Sequence, residues 1–147
     1  MKQAPDTPAE LKARALRYLA RREHSRAELT RKLAPHAESP QALEAVLDEL
    51  AQRKQVSDER YAETRAHWLS RKYGAAKIRQ DLKAHGVADA VIERVSAEGD
   101  LDRAKAILVR KYREPATTRE EKAKRARFLQ SRGFSYDVIH RLFSEQF

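Results

Sequence analysis

Apolar residues recur along this chain every three to four positions. No segment alternates apolar and polar over a convincing strand length, so the pattern predicts helices throughout. Leu11, Ala15, Tyr18 and Leu19 line one face of a helix entered through Thr7-Pro8-Ala9-Glu10, a capping box with proline at the first helical position. A second box, Ser25-Arg26-Ala27-Glu28, leads to Leu29 and Leu33 and stops before Pro35. Ser39-Pro40 opens a third helix with Leu43, Val46, Leu47 and Leu50. Ser57 caps a fourth, predicted through Tyr73 and ended by Gly74. Ile78 and Leu82 mark a fifth, which Gly86 terminates in a left-handed cap. Asp89 starts a sixth, with Val91, Ile92 and Val95 before Gly99. The seventh runs from Leu101 to about Arg113 and is closed by Pro115. Thr118 with Glu121 caps an eighth that ends at Gly133, and Ser135 caps a ninth with Val138, Ile139, Leu142 and Phe143.

These nine helices fall into three similar sets. Leu29 and Leu33 correspond to Ile78 and Leu82 at a shift of 49, as do Leu43 and Val46 to Ile92 and Val95. Leu82 and Gly86 correspond to Leu129 and Gly133 at a shift of 47. Repeats of this size are a signature of stacked helical arrays. The chain is 41% hydrophobic and 36% charged, which suggests thin cores and much surface. The expected fold is all-α: three tandem three-helix repeats, 1–56, 57–99 and 100–147, forming an elongated, curved array.

Charge points to a partner class. Lys and Arg number 31 against 22 Asp and Glu, a net +9, which favours a polyanion: nucleic acid, an acidic protein face or an anionic membrane surface. Residues 100–147 hold 12 basic and 7 acidic side chains, against 8 and 7 in 57–99, so the charge leans to the third repeat. There is no cysteine, hence no disulfide or thiolate metal site. The N-terminal residues show no apolar signal core, and no apolar run approaches the ~20 residues of a membrane span. A soluble, cytoplasmic protein is expected, with no membrane association.

Catalytic chemistry is poorly represented. The four glycines are far apart and no phosphate-binding loop can be drawn. The five histidines never take metal-site spacing, and no cofactor is expected. His24, before a helix cap, reads as a local structural contact. Asp58 and Glu59 read as acids favouring the positive end of their own helix.

Four segments stand out: Arg22 to Leu29, Ser57 to Ala62, Gly74 to Leu82 with Gly86-Val87, and Phe128-Leu129 with Arg132-Gly133-Phe134. Together they resemble the RecX family, regulators of the recombinase RecA. Arg22-Glu23-His24-Ser25-Arg26-Ala27-Glu28-Leu29 is similar to that family's R-E/D-H-S-x-x-E-L stretch. Ser57-Asp58-Glu59-Arg60-Tyr61-Ala62 resembles D-D-x-R-F-A, departing at Ser57 and Tyr61. Gly74-Ala75-Ala76-Lys77-Ile78-Arg79-Gln80-Asp81-Leu82, followed by Gly86-Val87, resembles G-x-x-x-I-R-x-E-L-x-x-x-G-I. Phe128-Leu129 with Arg132-Gly133-Phe134 is similar to the third-repeat ending. The resemblance covers nearly the whole chain. It implies three tandem three-helix repeats and a non-enzymatic regulator. Such a protein binds RecA and its filament on single-stranded DNA and restrains filament extension, ATP hydrolysis and strand exchange, so modulating recombination, DNA repair and the SOS response. It also implies direct binding to single- and double-stranded DNA. Monomeric action is expected. The alternative is a helical nucleic-acid-binding protein that acts on DNA directly, without RecA.

Helix-face geometry supplies the candidate contacts. Arg14, Arg17 and Arg21 lie opposite the apolar stripe of the first helix and should face solvent. Tyr61, Arg65, Trp68 and Lys72 share a stripe on the fourth. This stripe is either a stacking and charge platform for a single strand or a partner, or a widened core face whose cationic stems reach outward. A lone tryptophan in a small helical unit is usually core, which favours the second reading. Arg79 and Lys83 pair on the fifth helix. The eighth is the most basic: Lys124 and Arg127 should project away from Leu129, Lys122 and Arg125 should sit nearer its rim, and Arg132 lies near its end.

Overall fold

The structure, a computed structural model, describes residues 4–145. Nine α-helices and no strand occur among the described residues: α1 (Pro8–Arg21), α2 (Arg26–Leu33), α3 (Pro40–Gln52), α4 (Asp58–Leu69), α5 (Ala75–Ala84), α6 (Asp89–Ile92), α7 (Asp100–Lys111), α8 (Arg119–Ser131) and α9 (Tyr136–Glu145). They form two compact units. One comprises the chain through Thr64 together with Leu82–Ile92; the other comprises Arg65–Asp81 and the chain from Glu93 onward. The divisions fall inside α4 and α5.

In the first unit Leu11, Ala15, Leu29, Leu33, Leu43, Val46, Leu47, Leu50 and Val56 make one buried cluster, with Tyr18 and Leu19 packed against it. Each leucine taken fully from water contributes about 1.5–3 kcal/mol. In the second unit Ala104, Ile107, Leu108, Leu129, Phe134, Ile139 and Leu142 form the core. The helix starts follow the residues that signalled them. Thr7 Oγ1 accepts the Glu10 N–H at 3.2 Å while Glu10 accepts the Thr7 N–H at 3.1 Å. Ser25 and Glu28 make the same reciprocal pair. Ser57, Thr118 and Ser135 each accept one N–H from the first turn that follows.

Glycine ends α5 and α8 in the same way. Gly86 has φ +75° and Gly133 φ +91°. Val87 N–H returns to Leu82 C=O at 3.1 Å and Gly86 N–H to Lys83 C=O at 3.0 Å. Phe134 and Gly133 repeat both bonds to Leu129 and Gln130. This double closure satisfies carbonyls the helix leaves open, and only glycine adopts the required φ without penalty. Lys54, at φ 58°, holds the equivalent place after α3, where no glycine signals it.

Each glycine-closed end meets the start of another helix. In the first unit the Ser25 hydroxyl, which caps α2, donates to His85 C=O at 2.8 Å, and a Cβ on Gly86 would stand 2.4 Å from the Ala27 Cβ. In the second, Gly74 N–H, ahead of α5, donates to Arg132 C=O at 2.8 Å, and a Cβ on Gly133 would stand 2.6 Å from Lys77 N. The negative end of one helix thus sits on the positive end of another, an arrangement favourable for both dipoles. The carbonyl at the matching place after α2, that of His36, takes the Asp6 N–H at 2.8 Å.

The fourth and sixth helices differ from expectation. The fourth stops at Leu69 rather than Tyr73. The Ser70 hydroxyl donates to His67 C=O, and the chain turns so that Gly74 can reach Arg132. A Cβ there would lie 2.7 Å from the Phe134 ring, so Gly74 serves close approach rather than helix termination. The sixth is a single turn. The Arg79 guanidinium captures Val95 C=O through Nε at 3.1 Å, and Ser96 Oγ takes the Glu98 N–H, so no helical ladder continues. After α2, a 3-10 turn at Ala34–His36 carries the chain through Pro35.

Candidate polyanion-binding surface

The segments that carried the family resemblance turn out to be framework. His24 is 1% exposed. Its Nδ1 lies 3.0 Å from Arg22 C=O and its Nε2 2.9 Å from Lys32 Nζ. Burial depresses its pKa, and the hydrogen bond to Arg22 C=O opposes this only in part. The neutral ring therefore donates from Nδ1 and accepts from Lys32. Glu28 is ion-paired to Arg22 at 3.1 Å, and Glu23 to Arg60. Burial works to raise the Glu28 pKa, but the Arg22 guanidinium and the Ser25 N–H outweigh it and hold the carboxylate below its usual range.

Asp58 lies in the first turn of α4, as its sequence reading expects, and it also serves two other helices. One oxygen accepts the Arg26 N–H at 2.9 Å, the first of α2, and the other accepts the Ala88 N–H at 3.2 Å, just ahead of α6. Asp100, 2% exposed, does the same for the start of α5 through the Ala75 N–H at 3.1 Å, and its other oxygen holds Arg103.

The thirteen residues proposed for contact separate into free and committed groups. Arg17 and Arg21 of α1 are exposed, as are Lys72, Lys83, Lys124 and Arg127. Arg14 is not: it grips Asp6 through two bonds, at 2.8 and 3.3 Å, and that hydrogen-bonded guanidinium draws the Asp6 pKa down. Arg65 is bidentate on Asp81 at 2.9 and 3.0 Å, and Arg79 is spent on Val95 C=O. Lys122 and Arg125 are half-buried at the rim of the core, as the helix geometry predicted. The Arg125 guanidinium lies over the Tyr112 ring at 4.3 Å, and that of Arg132 lies 5.1 Å from the Phe128 ring centre and 5.4 Å from that of Tyr73.

The fourth-helix stripe divides. Tyr61 is core at 4% exposure, while Trp68, expected to be core, is 68% exposed. Trp68 lies one residue before the end of α4. Lys72 falls beyond that end, so it does not continue the stripe as a helical residue. Arg14, Arg17, Arg21 and Lys83 belong to the first unit and the other nine candidates to the second.

Sequence reasoning passed over Arg71, Arg110 and Lys111. Arg71 lies 5.6 Å over the Trp68 ring, and Arg110 donates to Arg71 C=O. These residues bound two shallow grooves in the second unit. One, of about 670 Å³, runs along α7 past Ala106 and Val109; the other, of about 310 Å³, runs over Ile107 and Phe128. Arg71 and Arg110 border both. The only available signal was the doublet Arg71-Lys72 close to a tryptophan and the doublet Arg110-Lys111 at a helix end. Among the described residues no cluster of His, Cys, Asp or Glu could hold a metal ion, and no helix is long and apolar enough to cross a membrane.

Nine α-helices among the described residues, in two compact units with exposed arginines and lysines, define an all-helical protein. Family models for the first, second and third three-helix domains of RecX match residues 12–50, 57–95 and 98–143. The chain belongs to the RecX family. It is 46% identical over 141 residues to the regulatory protein RecX of Ralstonia nicotianae, covering 94% of this chain and 89% of that one. It is 43% identical to that of Herbaspirillum seropedicae, with 95% and 92% covered. The fold is also that of the crystal structure of RecX from Lactobacillus salivarius, with a TM-score of 0.81 at 21% identity over 94% of this chain and 95% of that one.

Proposed function

We propose that this protein binds RecA and its filament on single-stranded DNA and inhibits filament extension, ATP hydrolysis and strand exchange. It would act as a cytoplasmic monomer without a cofactor, through three domains bounded at 1–56, 57–99 and 100–147. The observation that carries the reading is the match to three RecX domains in order along the chain, relatives of which are named regulatory proteins. The exposed cations support it. Arg17, Arg21, Lys124 and Arg127 face water on two helices, so several individually weak ionic contacts would sum on a polymeric partner.

The test is RecA ATP hydrolysis on single-stranded DNA with and without the protein. Turnover should fall, and Lys124→Glu with Arg127→Glu should restore it in part. Raising salt from about 50 to about 200 mM should weaken inhibition steeply, since each phosphate contact releases counterions. Unchanged RecA turnover at saturating protein would sink the proposal. The exposure of Trp68 favours a second reading, direct action on nucleic acid without RecA. Tight binding to naked DNA with no effect on RecA would select it.

A further inference from the structure

We propose that the two grooves sharing Arg71 and Arg110 form a track for the backbone of a single-stranded nucleic acid, with Trp68 as a stacking partner for one base. The proposal deepens the functional reading above and rests on it only in taking nucleic acid as a partner. Three observations converge in the second unit. First, the grooves are bordered by cations, and no carboxylate lines either of them. Second, apolar side chains lie between the cations, Ala106 and the 73% exposed Val109 in one groove and Ile107 and Phe128 in the other. Third, Trp68 is 68% exposed and carries Arg71 over its ring at 5.6 Å.

A single strand presents the matching sequence of groups. Its phosphates are regularly spaced anions, with apolar sugar and base faces between them. Cations interleaved with hydrocarbon suit that alternation, and an exposed indole adds stacking, which tolerates any base. Arg110 fixes the geometry by donating to the Arg71 carbonyl, which ties the end of α7 to the segment after α4. An acidic protein segment would use the same cations but would gain little from the indole, and duplex DNA offers no unstacked base to it.

Trp68 is the only tryptophan, so fluorescence excited at the red edge of the absorption band, where the five tyrosines absorb little, reports this site. The full chain is titrated with an oligothymidylate of about 16 nucleotides, within the span such platforms cover, without RecA. Saturable quenching is expected. Arg71→Glu with Lys72→Glu should weaken binding about tenfold or more and lower the log–log salt slope by about 1.4, two phosphate contacts at about 0.7 each. Arg31→Glu with Arg53→Glu, an equal charge reversal on exposed residues that line neither groove, should leave affinity within about twofold. If the double reversal unfolds the protein, Lys72→Ala alone should still lower the slope by about 0.7. No quenching, an unchanged slope, equal loss in both double reversals, or equal quenching by polyglutamate would each overturn the proposal. The last of these would assign the grooves to an acidic protein. Because RecA is absent, such failures leave inhibition of RecA to be judged on its own assay.

Discussion

Replacing Gly86 by alanine separates two costs that the helix-end contact combines. At φ +75° alanine is strained by about 1 kcal/mol, the left-handed penalty for a residue with a Cβ. The added methyl would also stand 2.4 Å from the Ala27 Cβ, well inside contact distance, and overpacking of that kind costs about 1–3 kcal/mol. Gly86→Ala should therefore destabilise the protein by about 2–4 kcal/mol. Ala27 supplies the obstacle from the first turn of α2, and the next nearest atom there, its Cα, is 3.8 Å away. Ala27→Gly removes the obstacle and alone costs about 0.5–1 kcal/mol of helix propensity. In the double variant the collision is gone and only strain and propensity remain, about 2 kcal/mol. Urea unfolding of all four proteins, followed by far-ultraviolet circular dichroism, closes the cycle. The double variant should be more stable than the sum of the singles by about 1–3 kcal/mol. Additivity within about 0.5 kcal/mol would refute the claim that the α5 end is seated on α2.

Two further outcomes follow from the same framework. Lys54→Gly should raise stability by about 0.5–1 kcal/mol, because φ 58° strains lysine more than glycine's extra unfolded-state entropy costs; a lower urea midpoint would contradict this. His24 is held neutral when folded, so the unfolded chain binds more protons as the medium is acidified. Stability should be intact above about pH 6.5, the ordinary imidazole value, and fall as pH drops from there toward the depressed folded value. His24→Gln should flatten that part of the stability–pH curve, and an unaltered curve would show that another group drives it.

Helix starts and the core faces were legible because their signals are local. Thr7-Pro8, Ser25 with Glu28, and Leu29 with Leu33 act within one or two turns of chain. The ends of α4 and α6 were not legible, because distant partners decide them: Arg132 draws Gly74 away, and Arg79 takes the carbonyl of Val95. The surface was legible only as charge. A helical wheel places Arg14 and Arg65 outward, but it cannot see Asp6 or Asp81 arriving from elsewhere in the chain. Nor could it tell that Trp68 has nothing packed over most of its surface. The doublet Arg110-Lys111 was a weak signal, since basic residues in a last turn are ordinary dipole complements. The first two family-like segments were informative for fold and not for binding, because Glu23, His24, Ser25 and Asp58 are all occupied in contacts within the framework.

The seating of a glycine-closed end on the first turn of an earlier helix has a modular consequence. Each joint needs little: a glycine to close, a receiving turn that lies too near for a Cβ, and a carboxylate from a later helix to anchor that turn. A segment carrying those features at both ends would splice into the chain without redesign of either core. At the leading edge the Asp6 N–H already occupies the His36 carbonyl, so growth in that direction would first have to dislodge it.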